Sequence, residues 1–343
     1  MYEKFYNLKQ NPFRISPDPQ FICMTPQHRE ALSGLIYSIC TRPGLTLLIG
    51  EVGTGKTTLL YTLLDLLEKR RYVTAMCTNP RLNQDEFYDY LLNKLEVPCT
   101  SPLKSQQLIA LQNTLLKYRA AGRMTVLIVD EAQRLHPDLM EEIRLLMNLE
   151  TPREKLLQVI MAGQPELSEI LRRSELRQLK QRINYFCTLR ALNVEELREY
   201  LDHRLSCAGL PKQNLFAADA IEAIYEYSKG IPRVVNTLCD NALQNGFARQ
   251  SPQITGSMIE EAAADLDLLP LAPLRLPEDH AEDHRLSPPA PASPRKLDAP
   301  GPVLVPGFAR DNQSTDPGRV PLETYGSRQK SLGFLANLLD RWK

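Results

Sequence analysis

The chain has 343 residues, with 41 Lys and Arg against 41 Asp and Glu, so its formal net charge is +0. Such a balance argues against a protein whose main activity is coating nucleic acid, because those proteins usually have a basic surplus. Hydrophobic residues make up 43% of the chain, which is enough for the core of an ordinary domain with additional segments.

The cysteines and the N-terminus indicate the compartment. Seven cysteines occur singly, without a CxxC pair, which favours reduced thiols packed as small hydrophobic residues. The five histidines show no metal-ligand spacing. No apolar signal core precedes the first motif, and no apolar run reaches the roughly 18 residues needed to span a bilayer. We expect a cytoplasmic protein, with peripheral attachment to the inner membrane as a second location.

Five short apolar runs alternate with amphipathic segments in the first part of the chain. Runs of this length indicate buried parallel strands joined by crossover helices. They lie at 45–49, 72–77, 125–129, 157–161 and 184–187. The pattern predicts an α/β domain over residues 1–190, with a five-strand parallel sheet and an N-terminal leader.

The remaining sequence is predicted to contain no strand. Segments 194–208, 217–229, 233–249 and 256–267 have helical patterns, interrupted by turns that contain Gly or Pro, and predict a helical domain over 191–268. Residues 269–328 are rich in proline and predict a disordered linker. Residues 329–343 predict a short amphipathic helix, with its apolar side from Leu332 to Trp342.

A phosphate-binding motif follows the first predicted strand. It matches GxxxxGK[ST] through Gly50, Glu51, Val52, Gly53, Thr54, Gly55, Lys56 and Thr57. Glycines let backbone N–H groups surround phosphates, and the following helix, predicted to begin at Thr58, adds a favourable dipole. Lys56 is predicted to contact the β- and γ-phosphates of ATP, and Thr57 to ligate Mg²⁺. The alternative is a glycine turn that matches by chance.

Two neighbouring acids end the third predicted strand. Asp130 is predicted to bind Mg²⁺ through water, and Glu131 to polarise the attacking water. Nucleoside kinases and small GTPases usually lack the second acid at this place, so the pair favours ATP hydrolysis. The alternative is a strand end with two exposed acids.

The order and spacing of several motifs over residues 1–268 resemble the ExeA/GspA-type ATPases of the general secretion pathway. Besides the phosphate loop, these motifs lie at 5–8, 11–13, 16–19, 28–32, 130–133, 162–167 and 230–233. The resemblance implies a P-loop NTPase of the AAA+ type with a C-terminal helical lid, and similarity to ATPases that assist transposition. It also implies a homo-oligomer, and a leader that lies near the adenine or forms a structural arm.

Further site residues follow from this resemblance alone. Gln164 matches the polar sensor of the γ-phosphate, although the usual residue there is Asn or Thr. Arg182 matches the arginine finger that reaches a neighbouring subunit, and Arg177 is the second choice. Arg233 matches the second sensor, which contacts nucleotide from the helical domain. Each of these could instead be an ordinary turn or surface residue.

The sequence therefore predicts an ATPase that promotes or regulates assembly of a secretion or cell-envelope complex. A DNA-transaction ATPase and a binding switch with little turnover are the alternatives; no helix-turn-helix signature or long basic run favours DNA. The C-terminal segment 329–343 is predicted to dock on a protein partner, with the membrane surface or the chain itself as competing sites.

Overall fold

The computed structural model describes residues 1–41, 44–210 and 215–270, whose centre is a parallel β-sheet. The strands lie side by side in the order β2-β3-β4-β1-β5, and every neighbouring pair is parallel. Their bounds are β1 Leu45–Gly50, β2 Val73–Cys77, β3 Thr125–Val129, β4 Leu157–Gly163 and β5 Ile183–Leu189. The five-strand parallel sheet predicted from the apolar runs is confirmed.

Alternate residues of the central strands enter two separate cores, one on each face of the sheet. In β3, Leu127 and Val129 join one core, whereas Val126 and Ile128 join the other. Successive side chains of a strand point to opposite faces, so a strand covered on both sides must be apolar at nearly every position. Each buried side chain of this size contributes about 1.5–3 kcal/mol.

Helices cover both faces of the sheet and then form a layer of their own. In the described ranges they are α1 Tyr2–Phe5, α2 Pro26–Thr41, α3 Lys56–Lys69, α4 Gln84–Lys94, α5 Lys104–Ala120, α6 Pro137–Leu146, α7 Pro165–Ile170, α8 Arg177–Lys180, α9 Val194–Cys207, α10 Ala218–Ser228, α11 Pro232–Ala248 and α12 Gly256–Asp265. Helices α2 and α3 pack on one face of the sheet, through residues such as Leu35 and Leu60. Helices α4, α5 and α6 cover the other face, through residues such as Leu91 and Ile143.

The last four helices surround a third core, and the N-terminal leader belongs to it. Leu201, Ile224 and Leu243 pack in this core from α9, α10 and α11. The leader adds Tyr2, Tyr6, Leu8, Phe13 and Phe21. Although the leader was predicted as part of the α/β domain 1–190, its apolar side chains pack with the helical domain. Helices α9 and α11 are distant from the leader in sequence but offer it an apolar surface in the fold. The domain boundaries themselves stay a prediction.

Parallel pairing brings the carboxyl ends of all five strands to one edge of the sheet. Strand β4 lies between β1 and β3, so the residues that follow these three strands are neighbours there. Those residues are the phosphate loop after β1, Asp130 after β3 and Gln164 after β4. The carboxyl edge of a parallel sheet is the usual ligand-binding position in such folds.

Two predicted segments cannot be compared with the structure. The linker from residue 271 onward and the C-terminal helix 329–343 lie outside the described residues. Within the described ranges, no helix combines the length and the apolar character that crossing a membrane requires.

The turn between α10 and α11 requires glycine, and this can be tested. Gly230 has φ +70°, and a Cβ there would lie 1.9 Å from the carbonyl oxygen of Leu192. We expect Gly230→Ala to lower the free energy of unfolding by roughly 3 kcal/mol, because the backbone at Leu192 must shift to make room for the added Cβ atom. Gly122 is the matched control, since it has φ +73° with nothing within 4 Å of its added Cβ. Gly122→Ala should cost only about 1–2 kcal/mol. Equal losses of stability in urea unfolding would contradict the steric argument.

Candidate functional site

The phosphate loop joins the end of β1 to the start of α3. Gly53 and Gly55 have φ +83° and +94°, in the left-handed region that favours glycine. Gly55 is the N-cap residue of α3, and Lys56 is the first helical residue. Backbone N–H groups at a helix start preceded by such a loop form an anion-binding site.

Lys56 lies under this loop and is buried. Its Nζ donates hydrogen bonds to the carbonyl oxygens of Gly50 at 2.7 Å and Glu51 at 2.9 Å. Burial lowers the pKa of Lys56, while the nearby carboxylates of Glu131 and Asp130 act in the opposite direction. The ammonium group is therefore placed beside the loop backbone, where a phosphate chain would need a positive charge.

The hydroxyl of Thr57 meets the first of the two acids. Thr57 Oγ1 donates to Asp130 Oδ2 at 2.6 Å, and the backbone N–H of Glu131 donates to Asp130 Oδ1 at 2.9 Å. Asp130 is only 3% exposed. A hydroxyl and a carboxylate are hard oxygen donors, the type that Mg²⁺ binds through one or two protein ligands and several waters. The residues present therefore fit a magnesium ion bound together with phosphates.

Glu131 has a strained backbone and a side chain that accepts several hydrogen bonds. Its φ of 52° is uncommon outside glycine. Its Oε2 accepts from Gln133 Nε2 at 2.9 Å and from Gln164 Nε2 at 3.4 Å. Arg134 Nε lies 3.5 Å from the same oxygen. The backbone N–H of Gln164 donates to Gln133 Oε1 at 3.1 Å, which links the ends of β3 and β4.

The helical domain touches the phosphate loop through the start of α11. The backbone N–H of Arg233 donates to the carbonyl oxygen of Gly53 at 3.2 Å. A Cβ on Gly53 would lie 2.7 Å from the Cβ of Arg233, so this approach also depends on glycine. The predicted second sensor is thus adjacent to the phosphate loop.

A cavity of about 470 Å³ lies between the leader, the phosphate loop and the helical domain. Lys56, Thr57, Thr58, Glu131 and Arg233 line it from the predicted site. The leader contributes the stretch from Arg14 to Asp18 and the stretch from Phe21 to Cys23. This volume is in the usual range for a small-molecule site, about 300–1,000 Å³.

Comparisons with known proteins agree with this geometry. Residues 37–171 match a family model described as an AAA domain. Over 267 residues the chain is 40% identical to general secretion pathway protein A of Aeromonas hydrophila. This chain contains an AAA domain. The match covers 78% of the chain and 48% of the Aeromonas protein, so the chain spans about half the length of that relative.

The AAA+ fold is also found in solved structures that are similar to this chain. The ORC2 protein of Aeropyrum pernix has a TM-score of 0.53 at 16% identity, covering 69% of this chain and 66% of that one. Cdc6p of Pyrobaculum aerophilum has a TM-score of 0.53 at 15% identity, covering 77% and 70%. At such identities the likeness concerns the fold alone. The predicted AAA+ fold and the resemblance to ExeA/GspA-type ATPases are both confirmed.

Arg204 is a cavity residue of this AAA+ protein that the sequence did not single out. It is 6% exposed, and its guanidinium donates to the carbonyl oxygens of Pro12 and Arg14, at 2.5 and 3.0 Å. The same group stacks over Phe21, 4.7 Å from the ring centre. Arg204 therefore joins the leader to α9. The helical pattern of α9 does not indicate that this arginine is buried, so no local feature of the sequence predicts its contacts with the leader.

His28 is a second residue whose contacts were not predicted. It is buried, its Nδ1 lies 2.7 Å from Thr25 Oγ1, and it forms a hydrogen bond with the backbone of Thr54 in the phosphate loop. Burial lowers its pKa. The family resemblance includes the segment 28–32, which was the one available signal for this contact.

Neither candidate finger arginine lines the cavity of its own chain. Leu45, the first residue of β1, donates its N–H to the carbonyl oxygen of Arg182 at 3.0 Å. The loop follows the other end of that strand, so about 17 Å of strand separates the two. Arg182 Nη2 donates to Asn148 Oδ1 at 2.6 Å, whereas Arg177 lies exposed in α8. Neither arginine is brought to the cavity of its own chain.

His28 gives the AAA+ module a predictable response to pH. A buried histidine whose pKa is lowered takes up a proton on unfolding, so its stabilising effect is present above about pH 6.5 and is lost as the pH falls. Between pH 6.5 and 5.5 this loss is at most about 1.4 kcal/mol. We expect urea unfolding of His28→Gln to depend less on pH in this range than that of the wild type.

His203 provides the comparison, because burial lowers its pKa as well. Unfolding of His203→Gln should retain the pH dependence that His28 contributes and lose only the part that His203 contributes. The same pH slope for the wild type and His28→Gln would show that His28 does not titrate on unfolding.

Proposed function

We propose that this AAA+ protein hydrolyses ATP to ADP and phosphate with Mg²⁺, as a homo-oligomer that promotes or regulates assembly of a secretion or cell-envelope complex. The observation that carries this proposal is the contact of Thr57 Oγ1 with Asp130 Oδ2 at 2.6 Å, next to Glu131. It supports a metal-binding pair and a candidate base beside one phosphate loop.

Each residue has a role that follows from its position. Lys56 neutralises phosphate charge from beneath the loop, and the loop N–H groups bind phosphate oxygens. Thr57 and Asp130 would hold Mg²⁺, which supplies charge stabilisation for phosphoryl transfer. Arg233 faces the same cavity from the helical domain and would bind the nucleotide there.

Glu131 is the proposed general base. Its carboxylate lies near enough to Lys56 to act on the pKa of that amine in the upward direction. Glu131 also lines the same cavity as Lys56. Gln164 donates to it and also follows β4, so it is suited to respond to the γ-phosphate. A base within reach of an attacking water is what hydrolysis requires beyond binding.

Arg182 is proposed to act on a neighbouring subunit. The strand length between it and its own phosphate loop is too great for an arginine side chain, so it can reach ATP only in another copy. Arg177 remains the second candidate. This is why we propose an oligomer as the active form.

The proposed role in secretion is supported by the similarity to one relative. General secretion pathway protein A of Aeromonas hydrophila is 40% identical over 78% of this chain, which supports a role in secretion. A protein partner docked through the C-terminal segment, and peripheral membrane association at the cytoplasmic side, stay proposals. A DNA-transaction role is not favoured by any charge pattern of the described residues.

A nucleotide-dependent binding switch with little turnover is the second candidate. It is favoured by the hydrogen bonds of Glu131, since Gln133 and Gln164 both donate to the oxygen that would accept a proton from water. In that case ATP would set the conformation without being rapidly consumed.

Glu131→Gln tests the choice between enzyme and switch. An amide preserves shape but cannot act as a base, so we expect ATP binding to persist and phosphate release to fall by roughly 100-fold or more. Calorimetric titration and a phosphate-release assay measure the two quantities. Glu169→Gln, an exposed change on α7, is the control and should behave as the wild type. Turnover unaffected by Glu131→Gln would refute its assignment as the base.

Arg182→Ala tests action between subunits. We expect wild-type specific activity to rise with protein concentration, and Arg182→Ala to lose about 1,000-fold in turnover while retaining ATP binding. Mixing it with Glu131→Gln should restore part of the activity, because an intact Glu131 then meets an intact Arg182 at mixed interfaces. Arg172→Ala is the control on an exposed arginine. Without concentration dependence and without complementation, the subunit would have to act alone.

A further inference from the structure

A second pocket lies at the carboxyl edge of the sheet, over β2 and β3. It has a volume of about 450 Å³. Arg81, Arg134 and His136 provide its basic side chains, and Pro80, Leu82 and Leu139 provide apolar walls. We call it the basic pocket. None of these six residues lines the cavity assigned to the nucleotide.

The charges of the basic pocket are incompletely neutralised within the part of the chain that the structure describes. Arg81 is exposed and forms no ion pair with a described residue. Arg134 is 52% exposed, and its partner is Glu131 at 3.5 Å. His136 lies 3.2 Å from Asp138, the one acid that lines the pocket. Nearby Glu86 already caps α4 by accepting from the N–H of Asn83.

The shape of the basic pocket favours a peptide over nucleic acid. Duplex DNA is bound by several arginines and lysines that follow the phosphate backbone along an open surface. Here two arginines line a concavity together with apolar side chains. Guanidinium groups bind carboxylates in bidentate fashion, and apolar walls accommodate the neighbouring side chains of a peptide.

Arg134 connects this pocket to the proposed base. Its Nε lies 3.5 Å from Glu131 Oε2, the same oxygen that accepts from Gln133 and Gln164. A carboxylate bound in the basic pocket would compete with Glu131 for Arg134. Glu131 would then have one cation fewer beside it and would accept a proton from water more readily.

We propose that the basic pocket binds an acidic segment of a protein partner, and that this binding withdraws Arg134 from Glu131 and raises ATP turnover. The binding part stands on the pocket itself, whereas the effect on turnover rests on the proposed function. The pocket would thus couple the presence of a partner to hydrolysis. Exposed ion pairs are weak, so the stimulation should be modest, about fivefold.

Binding is tested with fluorescein-labelled octaglutamate by fluorescence anisotropy on the full chain, without nucleotide and at low salt. We expect wild-type binding that weakens roughly tenfold in Arg81→Gln and in Arg134→Gln. Arg198→Gln, an exposed arginine on α9, should bind as the wild type does. Octalysine labelled in the same way should not bind. Equal affinity of Arg81→Gln, Arg134→Gln and Arg198→Gln for octaglutamate would show that the basic pocket does not bind the peptide.

A duplex of 20 base pairs separates the two kinds of anionic ligand. Displacement of octaglutamate by the duplex at lower concentration than by unlabelled octaglutamate would overturn the peptide assignment in favour of a phosphate backbone. Weaker displacement by the duplex would support a peptide site.

Coupling is tested by phosphate release with and without unlabelled octaglutamate. We expect about fivefold stimulation of the wild type, and none in Arg134→Gln at peptide concentrations that saturate it. Arg81→Gln should still be stimulated, but at higher peptide concentration. Peptide that binds without changing measurable turnover would overturn the coupling. Absence of turnover in every sample would instead refute the proposed hydrolysis, while peptide binding would continue to support the site.

Discussion

The hydrogen bond between Thr57 and Asp130 joins two parts of the chain that are distant in sequence. One begins α3 after β1, and the other follows β3. Their contact requires β1 and β3 to be parallel, so that both carboxyl ends reach the same edge, and in this sheet a single strand lies between them. Strand β4 fills that gap and brings Gln164 to the same place. The order of three strands therefore determines which hydroxyl, carboxylate and amide lie together at the carboxyl edge of the sheet.

The leader and the helical domain share one core, and this changes how the nucleotide cavity is built. Aromatic residues of the leader pack among α9–α12, and Arg204 donates to the leader backbone from α9. Phe21 of the leader and Tyr200 of α9, which both line the cavity, thus belong to one packed core. That layer touches the loop where the N–H of Arg233 meets the carbonyl oxygen of Gly53. A nucleotide bound between them would contact both layers, so its binding energy could set their relative position.

The sequence predicted β1, β3 and β4 well because each is short, buried at every position and followed by a turn, whereas the edge strand β5 gave a weaker signal because it is partly exposed. The phosphate loop and the pair Asp130-Glu131 were equally visible, since their chemistry lies in neighbouring residues. Arg204, His28 and Gln133 were not assigned contacts, because each acts on a segment distant in sequence. The leader shows the same limit. Its aromatic residues indicate a buried surface, but local periodicity does not say which core they enter.

At Glu131 the role proposed for it as a base conflicts with the hydrogen bonds that its side chain accepts. A base must present a free oxygen to water, yet its Oε2 accepts from Gln133 and Gln164 and lies beside Arg134. Its φ of 52° lies in the left-handed region, which is uncommon for residues other than glycine. Backbone strain of this kind costs of order 1–3 kcal/mol and persists when surrounding contacts over-determine it. The donors come from β3, from β4 and from the basic pocket, so any change that moves one of them alters the basicity of the same oxygen. Under the proposed mechanism, the rate of hydrolysis would depend less on whether ATP can bind than on which groups still donate to Glu131 once it has bound.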